Sequence, residues 1–140
     1  MTHKILGGCG CGRVRYASPS EPLISLYCQC RDCQRDSGTG HSCHVMLPKL
    51  SFELTGELKI FHSVADSGNP VTRGFCPECG SSITYASSAF PDAIFVTAGS
   101  LDDPSWSKPA MISYASTAQP WDRLDPKLRR FDEMPPLNLK

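Results

Sequence analysis

Seven of the eight cysteines in this 140-residue chain stand in short hooks that a metal ion can grip. Cys9 and Cys11 form CxC, Cys28, Cys30 and Cys33 form CxCxxC, and Cys76 and Cys79 form CxxC; Cys43 stands alone. One turn of backbone at such a spacing presents two sulfurs to a single tetrahedral ion at about 2.3 Å. Gly8, Gly10 and Gly12 flank the first hook and Gly80 follows the third. They let the chain curl so that amide N–H groups face the thiolates and offset their charge. Thiolate-rich tetrahedral sites select zinc or iron, and zinc is the expected ion. An iron–sulfur cluster is the alternative, and its colour would reveal it. A disulfide framework would suit the even count, but CxC sits near the limit of bridging geometry. Free buried thiols acting as small hydrophobes would account for Cys43 and not for the clusters.

Seven clustered cysteines make one closed four-sulfur site and one three-sulfur site with a vacant position. A closed site is structural and an open one does chemistry. Spacing alone leaves the partition undecided. Pairing Cys9/Cys11 with Cys76/Cys79 keeps the Cys28/Cys30/Cys33 set whole, whereas a ribbon-like pairing of Cys30/Cys33 with Cys76/Cys79 would split it.

The elements that must position these hooks read as short strands. Runs of alternating apolar residues fall at Arg13–Ala17, Leu23–Tyr27, Cys43–Leu47, Leu58–His62, Val71–Phe75, Ser82–Tyr85, Ile94–Ala98 and Met111–Ala115. With twelve prolines and eleven glycines marking turns, the pattern predicts an all-β architecture. A short helix is predicted only over Arg31–Asp36, with at most one more helical turn at Asp125–Arg130. Gly99 to Pro104 reads as a loop with a tight turn. From Glu133 onward the Pro135-Pro136 pair predicts a loose tail over 133–140.

The length fits one domain, residues 1–140, burying roughly two-thirds of its unfolded surface. Fourteen basic residues balance fourteen acidic ones, so no nucleic-acid or membrane partner is expected. The basic run Lys127–Arg130 reads as a solvated segment. Without an apolar run at the N-terminus or a stretch of ~20 apolar residues, the expected setting is the cytoplasm, where thiols stay reduced.

The ordered motifs resemble the glutathione-dependent formaldehyde-activating family. Gly8-Cys9-Gly10-Cys11-Gly12-Arg13-Val14-Arg15-Tyr16 is similar to its GxCxCGxVxY opening. Cys28–Arg35 followed by Ser37-Gly38 is similar to its CxCxxC segment, and Gly74–Gly80 to its FCxxCG knuckle. Gly99–Pro104 and Trp121 sit where the family places a GxLDDP loop and a tryptophan. The resemblance implies coiled antiparallel sheets clamped by two zinc ions. Cys9, Cys11, Cys76 and Cys79 would hold a structural zinc, and Cys28, Cys30 and Cys33 the zinc that meets substrate. It implies a carbon–sulfur lyase whose partners are a small thiol, glutathione, and an aldehyde such as formaldehyde. Gln29 departs from the family, which often has histidine there, and so removes a proton carrier expected beside the metal.

A three-thiolate zinc should prefer sulfur as its fourth ligand, and the bound thiol should ionise near neutral pH. His41, Cys43 or His44 would instead close the site if one of them reached it. His62 reads as a surface histidine. Trp121, Phe90 and Tyr85 are either core or the wall of a groove. Arg31, Arg35 and Arg73 would pair with substrate carboxylates, or the first two would face solvent. The competing functions are a non-catalytic zinc scaffold for a protein partner and a thiol or formaldehyde buffer without turnover.

Overall fold

The computed structural model describes residues 4–137. The expected all-β architecture is borne out: the described residues form eleven strands and one α-helix, in the order β1 (Ile5–Gly8), β2 (Arg15–Ser18), β3 (Ile24–Cys28), α1 (Arg31–Ser37), β4 (Ser42–Pro48), β5 (Glu53–Thr55), β6 (Lys59–Val64), β7 (Pro70–Phe75), β8 (Ser82–Ser87), β9 (Ala93–Thr97), β10 (Met111–Ser113) and β11 (Arg129–Arg130). Three single 3-10 turns, at Ala98–Ser100, Pro104–Trp106 and Ala115–Thr117, make more short helical turns than the sequence suggested. A three-stranded antiparallel sheet has the order β1-β2-β5. The other sheet runs β11-β10-β3-β4-β9-β8-β7-β6 and is antiparallel except where β10 pairs in parallel with β3 and β11.

Strand alternation gives the large sheet an apolar cluster on each face. On β4, Val45 and Leu47 pack with Val96, Ile83, Cys76 and the small sheet's Ile5 and Tyr16. Met46 points the other way, onto Leu26 and Phe95. Val45, Met46 and Leu47 are all fully buried, and each such side chain contributes about 1.5–3 kcal/mol. β4 and β9 therefore form a wall between two compartments, and one cysteine group lies in each.

Helix α1 begins at a cysteine hook. Cys30 caps it, its Sγ accepting from the Cys33 N–H at 3.3 Å, as a serine or aspartate oxygen ordinarily would. The helix ends at Gly38, whose N–H donates to the Gln34 carbonyl at 2.8 Å.

Two segments differ from expectation. No helix forms over 125–130: the Asp125 carboxylate accepts from the Lys127 N–H at 2.9 Å to make a tight turn, and Arg129–Arg130 then pairs beside β10. The stretch expected to be loose from Glu133 returns to the body. Pro135 is buried, and Met134 and Leu137 pack on the Leu26/Phe95 cluster because that face lacks a second sheet to cover it. Residues 138–140 lie outside the described ones. Among the described residues, no helix is long and apolar enough to cross a membrane.

Candidate metal centres

The chain brings Cys9, Cys11, Cys76 and Cys79 together, their Sγ atoms all within 4.8 Å of one another. Cys9 and Cys11 are 3.5 Å apart and Cys11 and Cys76 3.7 Å apart. Four sulfurs around zinc at about 2.3 Å stand ~3.8 Å from each other, so the donor set fits the ion. The ribbon-like alternative pairing is not made. All eight cysteines are free, and a 3.5 Å sulfur separation far exceeds a disulfide's ~2.05 Å.

Two matching turns build this group. The Cys9 N–H donates to the Val14 carbonyl and the Gly12 N–H to the Cys9 carbonyl; the Cys76 N–H donates to Ser81 and the Gly80 N–H to Cys76. Gly12 and Gly80 sit at φ 82° and 77°, the left-handed region that closes each turn and that glycine enters without penalty. The Val14 N–H reaches Cys9 Sγ at 3.2 Å and lowers that thiol, and Ser81 holds the Cys79 thiol down at about 5. Asp102, in the Gly99–Pro104 loop, braces the neighbouring strands: its N–H donates to the Leu6 carbonyl at 2.9 Å and its carboxylate takes Arg15 at 2.8 Å.

Cys28, Cys30 and Cys33 form the second group, with Sγ atoms again mutually within 4.8 Å. Cys28 ends β3, Cys30 caps α1 and Cys33 lies one turn on. Hydrogen bonds from Cys28 and Cys33, with the Cys33 N–H, push the Cys30 thiol down to about 2. The same crowding, first through Cys30, raises Cys28 to about 11, and Cys33 moves upward chiefly through Cys28. One thiolate thus forms readily while its neighbours hold their protons, and a divalent cation is what would draw all three into the ionised form.

These three sulfurs open onto a cavity of about 170 Å³ on the Leu26/Phe95 side of β4. Tyr85, Phe90, Phe95 and Met134 line it, and the β6–β7 turn contributes Asp66 and Asn69. Arg73 is the only lysine or arginine among its lining residues. Its guanidinium stacks 5.0 Å from the Tyr85 ring centre and Nη2 reaches Cys33 Sγ at 3.9 Å. Burial holds the Tyr85 hydroxyl protonated, up at about 12. His44 lies fully buried against this cavity; burial, helped by Arg73, pushes its imidazole down to about 4, so the ring is neutral at physiological pH. Tyr114, another lining residue, has the left-handed backbone φ 55°, the only such non-glycine among the described residues, which costs of order 1–3 kcal/mol.

A buried amide network fixes the hook from behind. Gln29 is fully buried, and its side chain turns away from the sulfurs to donate to Asp122 at 3.0 Å. His41 Nδ1 meets the same carboxylate at 2.9 Å. The position where the family often has histidine therefore faces Asp122 rather than the cavity. Gly40 allows this approach, since a Cβ there would lie 2.4 Å from Asp122 Cβ. Gln34 donates to the carbonyls of Gln29 at 2.8 Å and Thr117 at 3.0 Å, and its own oxygen accepts from Gln119 at 3.1 Å. Gln34→Leu is expected to cost about 1–3 kcal/mol, because the buried Gln29 carbonyl and the part-buried Thr117 carbonyl each lose a donor. The measurement is urea unfolding; a midpoint equal to that of the native protein would contradict this role.

His41 and Cys43 stand on the far side of β4 from the cavity, and neither they nor His44 joins the three-sulfur group. His62 is exposed on β6. Phe90 and Tyr85 line the cavity as well as packing on the core, whereas Trp121 is 66% exposed. Arg31 is spent on the Gln34 side chain, and Arg35 lines no part of the cavity. Tyr114, Met134 and the β6–β7 turn carried no sequence signal, being brought in only by the parallel β3–β10 pairing and by the returning tail.

A solved structure, that of a Rhodobacter sphaeroides protein from a structural genomics programme, is similar to this chain with a TM-score of 0.56 and 19% identity, over 69% of this chain and 87% of that one. That likeness supports the fold. The family model described as glutathione-dependent formaldehyde-activating enzyme matches residues 4–117, a span holding all seven clustered cysteines and every cavity residue but Met134. The chain belongs to the glutathione-dependent formaldehyde-activating enzyme family.

Proposed function

We propose that the protein is a carbon–sulfur lyase-type enzyme acting on the adduct of a small thiol with an aldehyde, such as S-hydroxymethylglutathione. The observation that carries this reading is that Cys28, Cys30 and Cys33 face a small-molecule cavity, with no fourth ligand grouped with them among the described residues. In this reading they hold one zinc ion, and Cys9, Cys11, Cys76 and Cys79 hold a second, structural one. Zinc at the three-thiolate site would supply the charge that keeps a bound thiol ionised at neutral pH.

The chain's own residues supply the rest. Three thiolates leave a divalent site with net negative charge, and a substrate thiolate adds to it. Arg73, half-buried and bonded to Cys33, opposes that charge where little water can screen it. Tyr85, Phe90 and Phe95 exclude water from the sulfur atoms. The Gln29/Gln34/Asp122 network keeps the hook in one geometry, as orientation requires. A cytoplasmic setting, where thiols stay reduced, completes the proposal. A non-catalytic scaffold would have no use for a cavity beside three thiols.

The test is a metal-replete preparation. Two zinc ions per chain are expected, with added glutathione perturbing the absorbance of a cobalt-substituted sample. Exchange between glutathione plus formaldehyde and their adduct, followed by NMR, should accelerate with enzyme concentration. A single zinc, inert to thiols, with no acceleration would sink the reading.

A further inference from the structure

The Nε2 atom of His44 is buried and has no hydrogen-bond partner. Buried polar atoms in native proteins are almost always satisfied, so such an atom points to a ligand, a water or a chemical task. His44 is held in place for one. Its ring centre lies 5.6 Å from that of Tyr85 and 6.2 Å from that of Phe95, the latter edge-on. It projects from the face of β4 that lines the cavity shared with Cys28, Cys30 and Cys33. Leu26 and Thr97 are its cross-strand neighbours, and the charged groups that reach it are Arg73 and the Cys30 thiol. In the tautomer with the ring proton on Nδ1, Nε2 carries a free lone pair, on a residue that lines the cavity of the three sulfurs.

We propose that His44 is a catalytic residue that takes the hydroxyl proton of a hydroxymethyl-thiol adduct as its carbon–sulfur bond breaks. This rests on the function proposed above and adds the base that Gln29, turned away, does not supply. In the step the carbon–sulfur electron pair leaves with sulfur. The oxygen–hydrogen pair becomes the second carbon–oxygen bond, and the proton passes to Nε2. A neutral adduct and a neutral imidazole yield a thiolate, an aldehyde and an imidazolium, with no oxidant or reductant involved. Adduct formation runs the same path backward, returning the proton to the new hydroxyl.

His44→Phe keeps the ring and its packing on Tyr85 and Phe95 but has no nitrogen. It is expected to retain zinc content and glutathione affinity, read from cobalt-substituted absorbance, within about twofold. kcat for adduct exchange should fall by about 10²–10⁴-fold, the usual contribution of a positioned acid or base. Its thermal midpoint should equal or exceed the native value, because an unsatisfied buried nitrogen is gone. His44→Gln, polar but not basic, should stay at least tenfold below native. Native-like kcat in either variant overturns the proposal, as does a fall in metal or thiol binding that accounts for the lost turnover. If the native protein itself shows no exchange, the failure lies with the proposed function and not with His44.

Discussion

Cys30→Ser protein is expected to fold, keep its helix and lose turnover by at least about 10³-fold, or ~4 kcal/mol of transition-state stabilisation. Cys30 is the sulfur at which the three-cysteine group converges, receiving hydrogen bonds from Cys28, Cys33 and the Cys33 N–H. Its hydroxyl replacement is a hard, weakly acidic donor and a poor match for a soft ion. The same replacement is harmless to α1, since serine is among the preferred N-cap residues and can accept the Cys33 N–H in place of sulfur. Loss of chemistry is thereby separated from loss of structure. Circular dichroism should overlay the native spectrum while NMR exchange drops to background. Exchange within tenfold of native would remove Cys30 from the reaction.

Cys76→Ser should do the reverse and leave little folded protein. Cys76 is fully buried in the cluster joining the two sheets, and its group ties β1 to the end of β7. Structural zinc sites carry apparent binding free energies of about 10–16 kcal/mol, comparable to the ~5–15 kcal/mol net stability of a domain. Weakening that site by one thiolate removes much of what holds the small sheet down. The expected result is a broad, low thermal transition and zinc content falling from two per chain to one. The native protein should follow the same path when a strong chelator strips it. A cooperative transition near the native midpoint would show that the four-cysteine group is dispensable to the fold.

What was legible in the sequence was what is local. Each cysteine hook is set by spacing within a few residues, and the strands with clear alternation, β3, β4, β7 and β9, appear where that alternation predicts. The partition of the hooks was not local: it depends on β1 lying near the end of β7, and the resemblance supplied it before any distance did. β1 itself was missed because half of Ile5-Leu6-Gly7-Gly8 is glycine, and its stability comes from pairing with β2. β5 is three residues long and has no room for a period. β11 follows a sequence that favours a turn, and the Phe131 N–H donating to Ile112 at 2.9 Å secures it from a distance. His44 was singled out, but only as a ligand. Which face of β4 it shares with the sulfurs was a matter of register, fixed by pairing with Leu26 and Thr97.

The two cysteine groups also differ in how far apart their members lie along the chain. Cys28, Cys30 and Cys33 span six residues, so a growing polypeptide has all three as soon as Cys33 clears the ribosome. The other group waits for Cys79, and the chain between Cys11 and Cys76 must first be closed into a loop, whose entropic cost grows with its length. Contacts so distant in sequence form late in folding. The site read here as reactive is thus complete before the one read as structural, and before β8 and β9 exist to wall it in. During that interval the three thiols are open to any soft metal or oxidant nearby. Their early exposure makes this segment the first to meet a metal ion during synthesis, before the four-cysteine clasp can form.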